Sequence, residues 1–465
     1  MLQIWNTLSR KKEPLPDQNK LRLFVCGPTV YDYAHIGHAR TYIFFDFFAR
    51  YLRSRGYDVS YLQNITDIDD RIIARAAEAH KTPAELAEFF TKAYLDDMRS
   101  LGVSAVTEYA PATKFISQIV AQVERLVDKG HAYKIDGDGW YFDIARFPDY
   151  GKLSGRTALQ AEDAVSRIDE SVGKKNKGDF CLWKFSKPGE PVWSAPIGNG
   201  RPGWHIEDTA ISEFYFGPQY EIHGGGVDLK FPHHEAEIAQ QESASGKKPF
   251  VQLWMHTGAL LADGRKMSKS LGNFITVRDF LKEHSPDVLR FITLTHHYRS
   301  PVDFSEGLVQ QAEAALENMH RFWGRLHVAS REATRGSGRL VKKTPAEAGQ
   351  KFQAALEDDV NSATAIAELF KQVMALQPQV KDIPDHEALT RFKYFDETLK
   401  FLGFSFEMPG IPENVEKLAG EREQCRVNKQ FEESDALRKK INGLGYDIED
   451  TPKGPFLWPR TKKRS

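Results

Sequence analysis

The sequence changes period across one short turn, and that change limits the folds open to it. Leu21-Arg22-Leu23-Phe24-Val25 is an apolar run of strand length, whereas Ile43, Phe44, Phe47, Phe48, Tyr51 and Leu52 recur at helical spacing between Ala39 and Arg55. The join reads Cys26-Gly27-Pro28-Thr29-Val30-Tyr31-Asp32-Tyr33-Ala34-His35-Ile36-Gly37-His38. A strand that feeds a helix through such a turn belongs to an open α/β sheet, where ligands bind at the carboxyl ends of strands. Helix amides and a positive dipole end there suit phosphate. His35 and His38 are one turn apart and can face the same anion, although helix-terminal histidines are also common as plain caps. Cys26, at the strand end, is a soft metal ligand. A second strand over 58–66 ends in Thr66-Asp67-Ile68-Asp69-Asp70. The resulting strand–helix–strand unit has a parallel crossover, which puts the two strand ends side by side.

Size and charge restrict the rest. A chain of 465 residues is too long for one ordinary domain. With 63 Lys+Arg against 64 Asp+Glu, nucleic-acid binding would need a local basic face, because the total is neutral. Cys26, Cys181 and Cys425 are odd in number and far apart, which fits a reducing cytoplasm and no disulfide framework. The opening residues carry no leader pattern, and no window has the roughly 18 apolar residues of a membrane helix. The expected architecture is α/β. A Rossmann-type parallel-sheet domain is split into 1–110 and 201–250 by an insertion at 111–200. Helices are expected over 82–101 and 113–129, a hairpin turns at Asp136-Gly137-Asp138-Gly139, and Cys181 reads as buried. A segment at 251–305 follows, then a helical bundle at 306–408. A small α+β module at 409–465 lies beyond Pro409-Gly410 and Pro412, with a charged helix near 428–444 and a strand near 446–450.

Two constellations carry chemistry. The first joins His35 and His38 to Lys266-Met267-Ser268-Lys269-Ser270, a pair that in this order resembles the class I aminoacyl-tRNA synthetases. The resemblance implies ATP binding by Pro28, His35, Gly37, His38, Lys266, Met267, Ser268, Lys269 and Ser270, with Mg²⁺ accompanying the nucleotide. His35, His38, Lys266 and Lys269 would stabilise charge that builds on the α-phosphate and on departing pyrophosphate. The second constellation is His233 and Glu237, i and i+4 on one helix face, which is metal-ligand spacing and also the spacing of a surface His–Glu pair. Cys26-Gly27-Pro28-Thr29-Val30-Tyr31-Asp32, Asn64 to Asp70, Gly203-Trp204-His205-Ile206-Glu207, His223-Gly224-Gly225 and Pro232-His233-His234-Glu235 resemble the cysteinyl-tRNA synthetase family. That resemblance implies a Zn²⁺ held by two cysteines, a histidine and a glutamate, and a cysteine pocket formed by Cys26, Gly27, Thr66, Trp204 and His223. It also implies ATP, L-cysteine and tRNA(Cys) as substrates, and a monomer. A metal contact makes chemical sense, since serine differs from cysteine by one atom and packing alone discriminates poorly.

The family pattern breaks once, where Asp208 stands in place of the second cysteine. Asp208 could ligate through oxygen, the site could have three protein ligands, or the metal could be absent. We take the first, with Cys26, Asp208, His233 and Glu237 as ligands; aspartate keeps the anionic count and makes the site harder. For RNA, Arg438-Lys439-Lys440 and Arg460, Lys462, Lys463 and Arg464 lie near Phe456 and Trp458. Such aromatics beside cations can stack bases, or the group can be a solvated face and a fraying tail. By resemblance, the helical region and C-terminal module read the anticodon arm, the segment after Lys269 meets the inner corner of the tRNA, and the insertion approaches the acceptor end. Two rivals are a related ligase joining cysteine to an amino sugar and a non-catalytic RNA-binding paralogue.

Overall fold

The turn after Val25 is the first crossover of a five-stranded, wholly parallel sheet. In the computed structural model, which describes residues 2–156, 171, 173–262, 264–267, 273–330 and 346–460, strand β1 (Lys20–Val25) leads into helix α1 (Ile36–Ser54), and β2 (Asp58–Ile65) and β3 (Glu108–Pro111) follow. After the insertion come α2 (Ile206–Phe216), β4 (Tyr220–Gly226), α3 (His233–Ser245) and β5 (Val251–Thr257). The strand order is β5-β4-β1-β2-β3. The order reverses between β1 and β4, and the crevice at the carboxyl ends of those two strands is where such sheets hold ligands.

α1 is apolar nearly all round, so it has to be covered on every side. Ile43, Phe44, Phe45, Phe47 and Phe48 are all buried. The close approach of α1 to β4 needs a glycine: a Cβ on Gly224 would lie 2.2 Å from the Phe45 ring. The helix over Pro83–Ser100 starts where its sequence says it should, with Pro83 in its first turn and a reciprocal capping box between Thr82 and Glu85. The Ile116–Asp128 helix and the hairpin of Ala132–Ile135 with Gly139–Phe142 also form.

Two further strands, Phe180–Phe185 and Gly200–Pro202, extend that hairpin into a four-stranded antiparallel sheet. Cys181 lies on the first of them, beside a register shift against the Gly139–Phe142 strand, and is only partly buried, against the expectation: it lines a cleft with Arg201 and Trp204. Farther on, Leu260–Ala262 pairs with both Arg265–Lys266 and Val302–Phe304.

The described chain forms two compact units, one running to Leu308 and including Leu356–Ser362, the other holding the remaining helices and the C-terminal hairpin. In the second unit, helices Glu413–Val427 and Phe431–Gly443 pack on the hairpin Tyr446–Thr451/Gly454–Pro459. Phe456 and Trp458 are 2% exposed, and Trp458 Nε1 donates to Glu317 at 2.8 Å. Burial on the inner face of the hairpin removes both from the set of base-stacking candidates. Lys462, Lys463 and Arg464 lie outside the described residues. Among the described residues no helix is long and apolar enough to cross a membrane.

Candidate active site and metal centre

The sheet delivers Cys26 to the switch point, where its amide donates to Gly224 O at 3.1 Å. Beside it α2 supplies Asp208, and α3 supplies His233 and Glu237. One ligand atom from each of these four side chains lies within 4.8 Å of the others. Cys26 Sγ is 3.1 Å from Asp208 Oδ2 and 3.7 Å from Glu237 Oε1. His233 Nε2 is 3.0 Å from Asp208 Oδ2 and 3.1 Å from Glu237 Oε1. None of the four exceeds 4% exposure.

The electrostatics of this cluster call for a cation. Burial pushes the Cys26 thiol well above its ordinary range, and the neighbouring Glu237 and Asp208 carboxyls push it further. Burial and Asp208 likewise hold the Glu237 carboxyl well above its usual value. Glu237 Oε2 is buried without a hydrogen bond, with His223 Nε2 3.4 Å away. Three potential anions in a buried site, one oxygen without a hydrogen bond, fit a divalent ion as their counter-charge. His233 can ligate through Nε2 if its proton is on Nδ1, and His205 Nδ1 stands 2.7 Å away to accept it. On the other carboxylate, Asn64 Nδ2 donates to Asp208 Oδ1 at 2.5 Å.

A second ligand set overlaps the first: His223 and His234 also approach Cys26 Sγ, at 3.3 and 3.1 Å, and the two sets share Cys26 and Glu237. Burial pushes both imidazoles well below their ordinary range, so they stay neutral. Tyr220 pins the far nitrogen of His223 at 2.7 Å, and His256 that of His234 at 2.9 Å. Only the first set faces open space. Cys26, Asp208 and His233 line a cavity of about 620 Å³, together with Gly27, Pro28, Thr66, Trp204, Thr41 and Met267. His223, placed in the cysteine pocket from the sequence, stands behind the ligands and not in this wall. Trp204 does line it, half-buried, and stacks on His233 with centroids 4.5 Å apart. Thr66 donates its hydroxyl to Glu207, whose carboxyl burial holds well above its usual range.

At the other end of the cavity the two histidines are stacked, centroids 3.8 Å apart. His35 caps α1: its Nδ1 accepts from Gly37 N at 3.0 Å and His38 N at 3.3 Å. An imidazole that accepts at Nδ1 is neutral and carries its proton on Nε2. The chain returns to this turn after the lysine-rich loop, where Ile36 N donates to Ile275 O at 3.0 Å and Val277 N to Ala34 O at 2.8 Å. Met267 is buried in the cavity wall. The side chain of Lys266, with Ser268, Lys269 and Ser270, lies outside the described residues.

Sequence reasoning gave no role to His234, His256 or Tyr220. The His234–His256 contact joins α3 to β5, and no local spacing signals it. Asn64 stood within a quoted motif without a role.

A parallel sheet with a ligand crevice at its switch point and a capped histidine turn defines the catalytic core of a class I tRNA synthetase. Residues 13–314 match the family described as "tRNA synthetases class I (C) catalytic domain", and residues 351–407 match the DALR domain. The fold is similar to Mycobacterium tuberculosis methionyl-tRNA synthetase in complex with methionyl-adenylate, with a TM-score of 0.60 at 16% identity over 83% of this chain and 90% of that one. The cysteine–tRNA ligase of Thermococcus onnurineus (strain NA1) is 42% identical over 99% of both chains. That of Methanococcus maripaludis (strain C7) is 42% identical over 97% of this chain and 98% of its own length. The chain belongs to the cysteine–tRNA ligase family.

Proposed function

We propose that this chain activates L-cysteine with ATP to the adenylate and transfers it to the 3′ end of tRNA(Cys), using a zinc ion held by Cys26, Asp208, His233 and Glu237. The observation that carries this reading is the convergence of those four buried side chains on one end of the cavity whose other end is the His35–His38 turn. When bound, zinc supplies a soft Lewis acid that prefers a thiolate to a hydroxyl, which is the distinction between cysteine and serine. Trp204, flat against His233, closes the side of the amino-acid site. The substrate carboxylate then attacks the α-phosphate in line. Nε2–H of His35 and the amides at the start of α1 donate to the oxygens on which charge grows. His38, stacked on His35, keeps that ring in place and offers a second donor. Lys266 and Lys269 neutralise the pyrophosphate, and Mg²⁺ accompanies ATP. The second unit holds the tRNA, and the enzyme acts as a monomer in the cytoplasm.

The test is cysteine-dependent ATP–pyrophosphate exchange, followed by charging of tRNA(Cys). Exchange with cysteine and not serine, followed by transfer to tRNA, is the expected result. Exchange without transfer to tRNA, but with transfer to an amino sugar, would assign the chain to the related ligase. No exchange in metal-loaded protein would overturn the reading.

A further inference from the structure

Residues Leu356–Ser362 form a strap. They pack with the catalytic unit, although the chain on either side of them belongs to the other unit. Asp359 and Val360 sit there at φ of 59° and 49°. Left-handed backbone is uncommon for any residue but glycine and is a true outlier for a β-branched one; it persists only where the surroundings over-determine it.

The surroundings here converge on the Asp359 side chain, which is 1% exposed. Trp5 N and the Tyr298 hydroxyl donate to Oδ1, each at 2.8 Å. Arg299 reaches Oδ2 through Nε at 2.8 Å and Nη2 at 2.7 Å, and His297 Nε2 is 3.4 Å away. Asp359 N in turn donates to Gln3 O at 2.8 Å. Burial opposes the charge, but the hydrogen bonds from His297, Trp5, Tyr298 and Arg299 outweigh it and keep the carboxyl below its usual range.

The turn that Asp359 grips leads to the cavity. Tyr298 O accepts from Gly258 N at 2.7 Å, and Ser300 O accepts from Arg40 Nη2. Arg40 Nη1 also donates to Gly258 O at 2.5 Å and Ala259 O at 2.7 Å. Arg40 is fully buried on α1, two residues beyond His38, while Gly258, Ala259 and Leu260 are cavity wall. The Tyr298 ring lies flat on Phe44 of α1, with centroids 4.5 Å apart. The chain of contacts therefore runs from the strap to both sides of the phosphate end of the cavity and includes no candidate metal ligand.

We infer that Asp359 is a positioning residue for adenylate synthesis: through Tyr298, Arg299 and Arg40 it sets the spacing between the His35–His38 end of α1 and the Gly258–Leu260 wall. The inference rests on the synthetase reading above. Displacing a reacting group by about 1 Å can cost on the order of 100-fold in rate, so partial loosening should be visible in turnover. The test compares Asp359→Asn, Tyr298→Phe and the double variant in cysteine-dependent ATP–pyrophosphate exchange, with urea unfolding alongside. Each single variant should lose about tenfold in kcat with KM for cysteine unchanged, and the double should lose no more than the worse single, as residues in series do. Losses that multiply in the double variant overturn the inference. So does an intact kcat with a lowered unfolding midpoint, which would make Asp359 a structural tie alone. Tyr298→Phe removes one hydroxyl and keeps the test open if Asp359→Asn does not fold. Wild-type protein without exchange would instead count against the synthetase reading.

Discussion

Replacing Asp208 by asparagine removes one charge and little else, which makes it the sharpest probe of the metal centre. The carboxylate is 1% exposed and stands in the wall of the cavity. Its Oδ2 stands 3.1 Å from Cys26 Sγ and 3.0 Å from His233 Nε2, and Asn64 holds its Oδ1. Of three ligands able to carry negative charge, Cys26 and Glu237 remain. Removing one partner from a buried charge group costs about 3–5 kcal/mol. At about 1.4 kcal/mol per decade that weakens metal binding by two to three and a half decades, and the amide oxygen's own weak donation puts the expected loss near the lower end, about 100-fold.

The same substitution has an opposite effect on the metal-free protein. The Asp208 charge is one reason that the Cys26 thiol and the Glu237 carboxyl sit so high, after burial. Taking it away relieves that repulsion, so Asp208→Asn should unfold at higher urea than the parent when both are stripped of metal. Chelator competition gives the affinity, elemental analysis the stoichiometry, and exchange assays with cysteine and serine the discrimination. Asp208→Cys, which keeps the charge count with a softer atom, should bind zinc at least as tightly and harder divalent ions less well. The reasoning fails if Asp208→Asn keeps both its metal affinity and its cysteine-to-serine ratio. It fails too if the stripped variant is less stable than the stripped parent, because Asp208 would then be a packing residue.

Four other outcomes follow from the geometry. Loading the site displaces protons from Cys26 and Glu237, so affinity should rise about tenfold per pH unit for each proton released; calorimetry in two buffers of different ionisation enthalpy counts them, and no release would refute the ligand assignment. In the metal-free fold the raised Glu237 carboxyl binds its proton more tightly than the unfolded chain does, so that share of stability is complete below its ordinary value of 4.5 and fades as pH rises. His35→Asn keeps a good helix cap while removing the Nε2 donor, so unfolding should shift by less than about 0.5 kcal/mol while exchange kcat falls on the order of 100-fold; a loss of only a few-fold would leave His35 as a cap alone. Asp97 is pushed up to about 6 by burial, Arg278 at 2.9 Å notwithstanding, and its Oδ2 has no hydrogen-bond partner. Its folded value lies above the unfolded 3.8, so the ionised form strains the fold above about pH 6. Asp97→Asn should therefore be more stable near pH 8 by up to about 3 kcal/mol and indistinguishable near pH 3.5, as urea unfolding at the two pH values would reveal.

The parts of the site that were legible in the sequence are those set by spacing along one element. Cys26 follows a strand, His35 and His38 open a helix, and His233 and Glu237 share a helix face; each statement needs only a period of 2 or 3.6. Asp208 was placed by its position after Trp204-His205-Ile206-Glu207, and α2 does carry it to Cys26. The shell behind the ligands was not legible. Tyr220, His223 and His256 lie on two strands whose pairing, His223 opposite Trp254 and Gly225 opposite His256, no local pattern announces. The strands at 180–185 and 200–202 were lost for a related reason: they are short, and their partners are distant or separated by a Gly- and Pro-rich loop. Phe456 and Trp458 look like stacking residues from composition alone, and only the hairpin register shows that both face inward. In sequence the strap at 356–362 lies inside a single stretch of 3.6-residue period, 346–376, which the structure splits into the helices Ala346–Glu357 and Ser362–Leu376. Its use as a buried tether appears only when Asp359 is seen against Tyr298 and Arg299.

The turn from Cys26 to His38 carries two chemistries because neighbours remote in sequence hold its ends. Gly224 O receives the Cys26 amide and keeps the thiol at the switch point, while Ile275 and Val277 clasp the turn at Ile36 and Ala34. At the distal end, capping and catalysis are not competing explanations of His35. To cap α1, Nδ1 must accept, and an imidazolium cannot accept. The cap therefore favours the neutral ring and fixes its proton on Nε2, which is the tautomer a donor to phosphate needs at neutral pH. At the proximal end the logic is inverted, since burial makes Cys26 hold its proton until a cation replaces it. One end of the turn thus presents a proton donor that the fold itself prepares, and the other a ligand that only the ion completes. A substitution that loosens the cap should lower adenylate synthesis without changing metal content, and one that removes Asp208 should lower metal content without changing the cap.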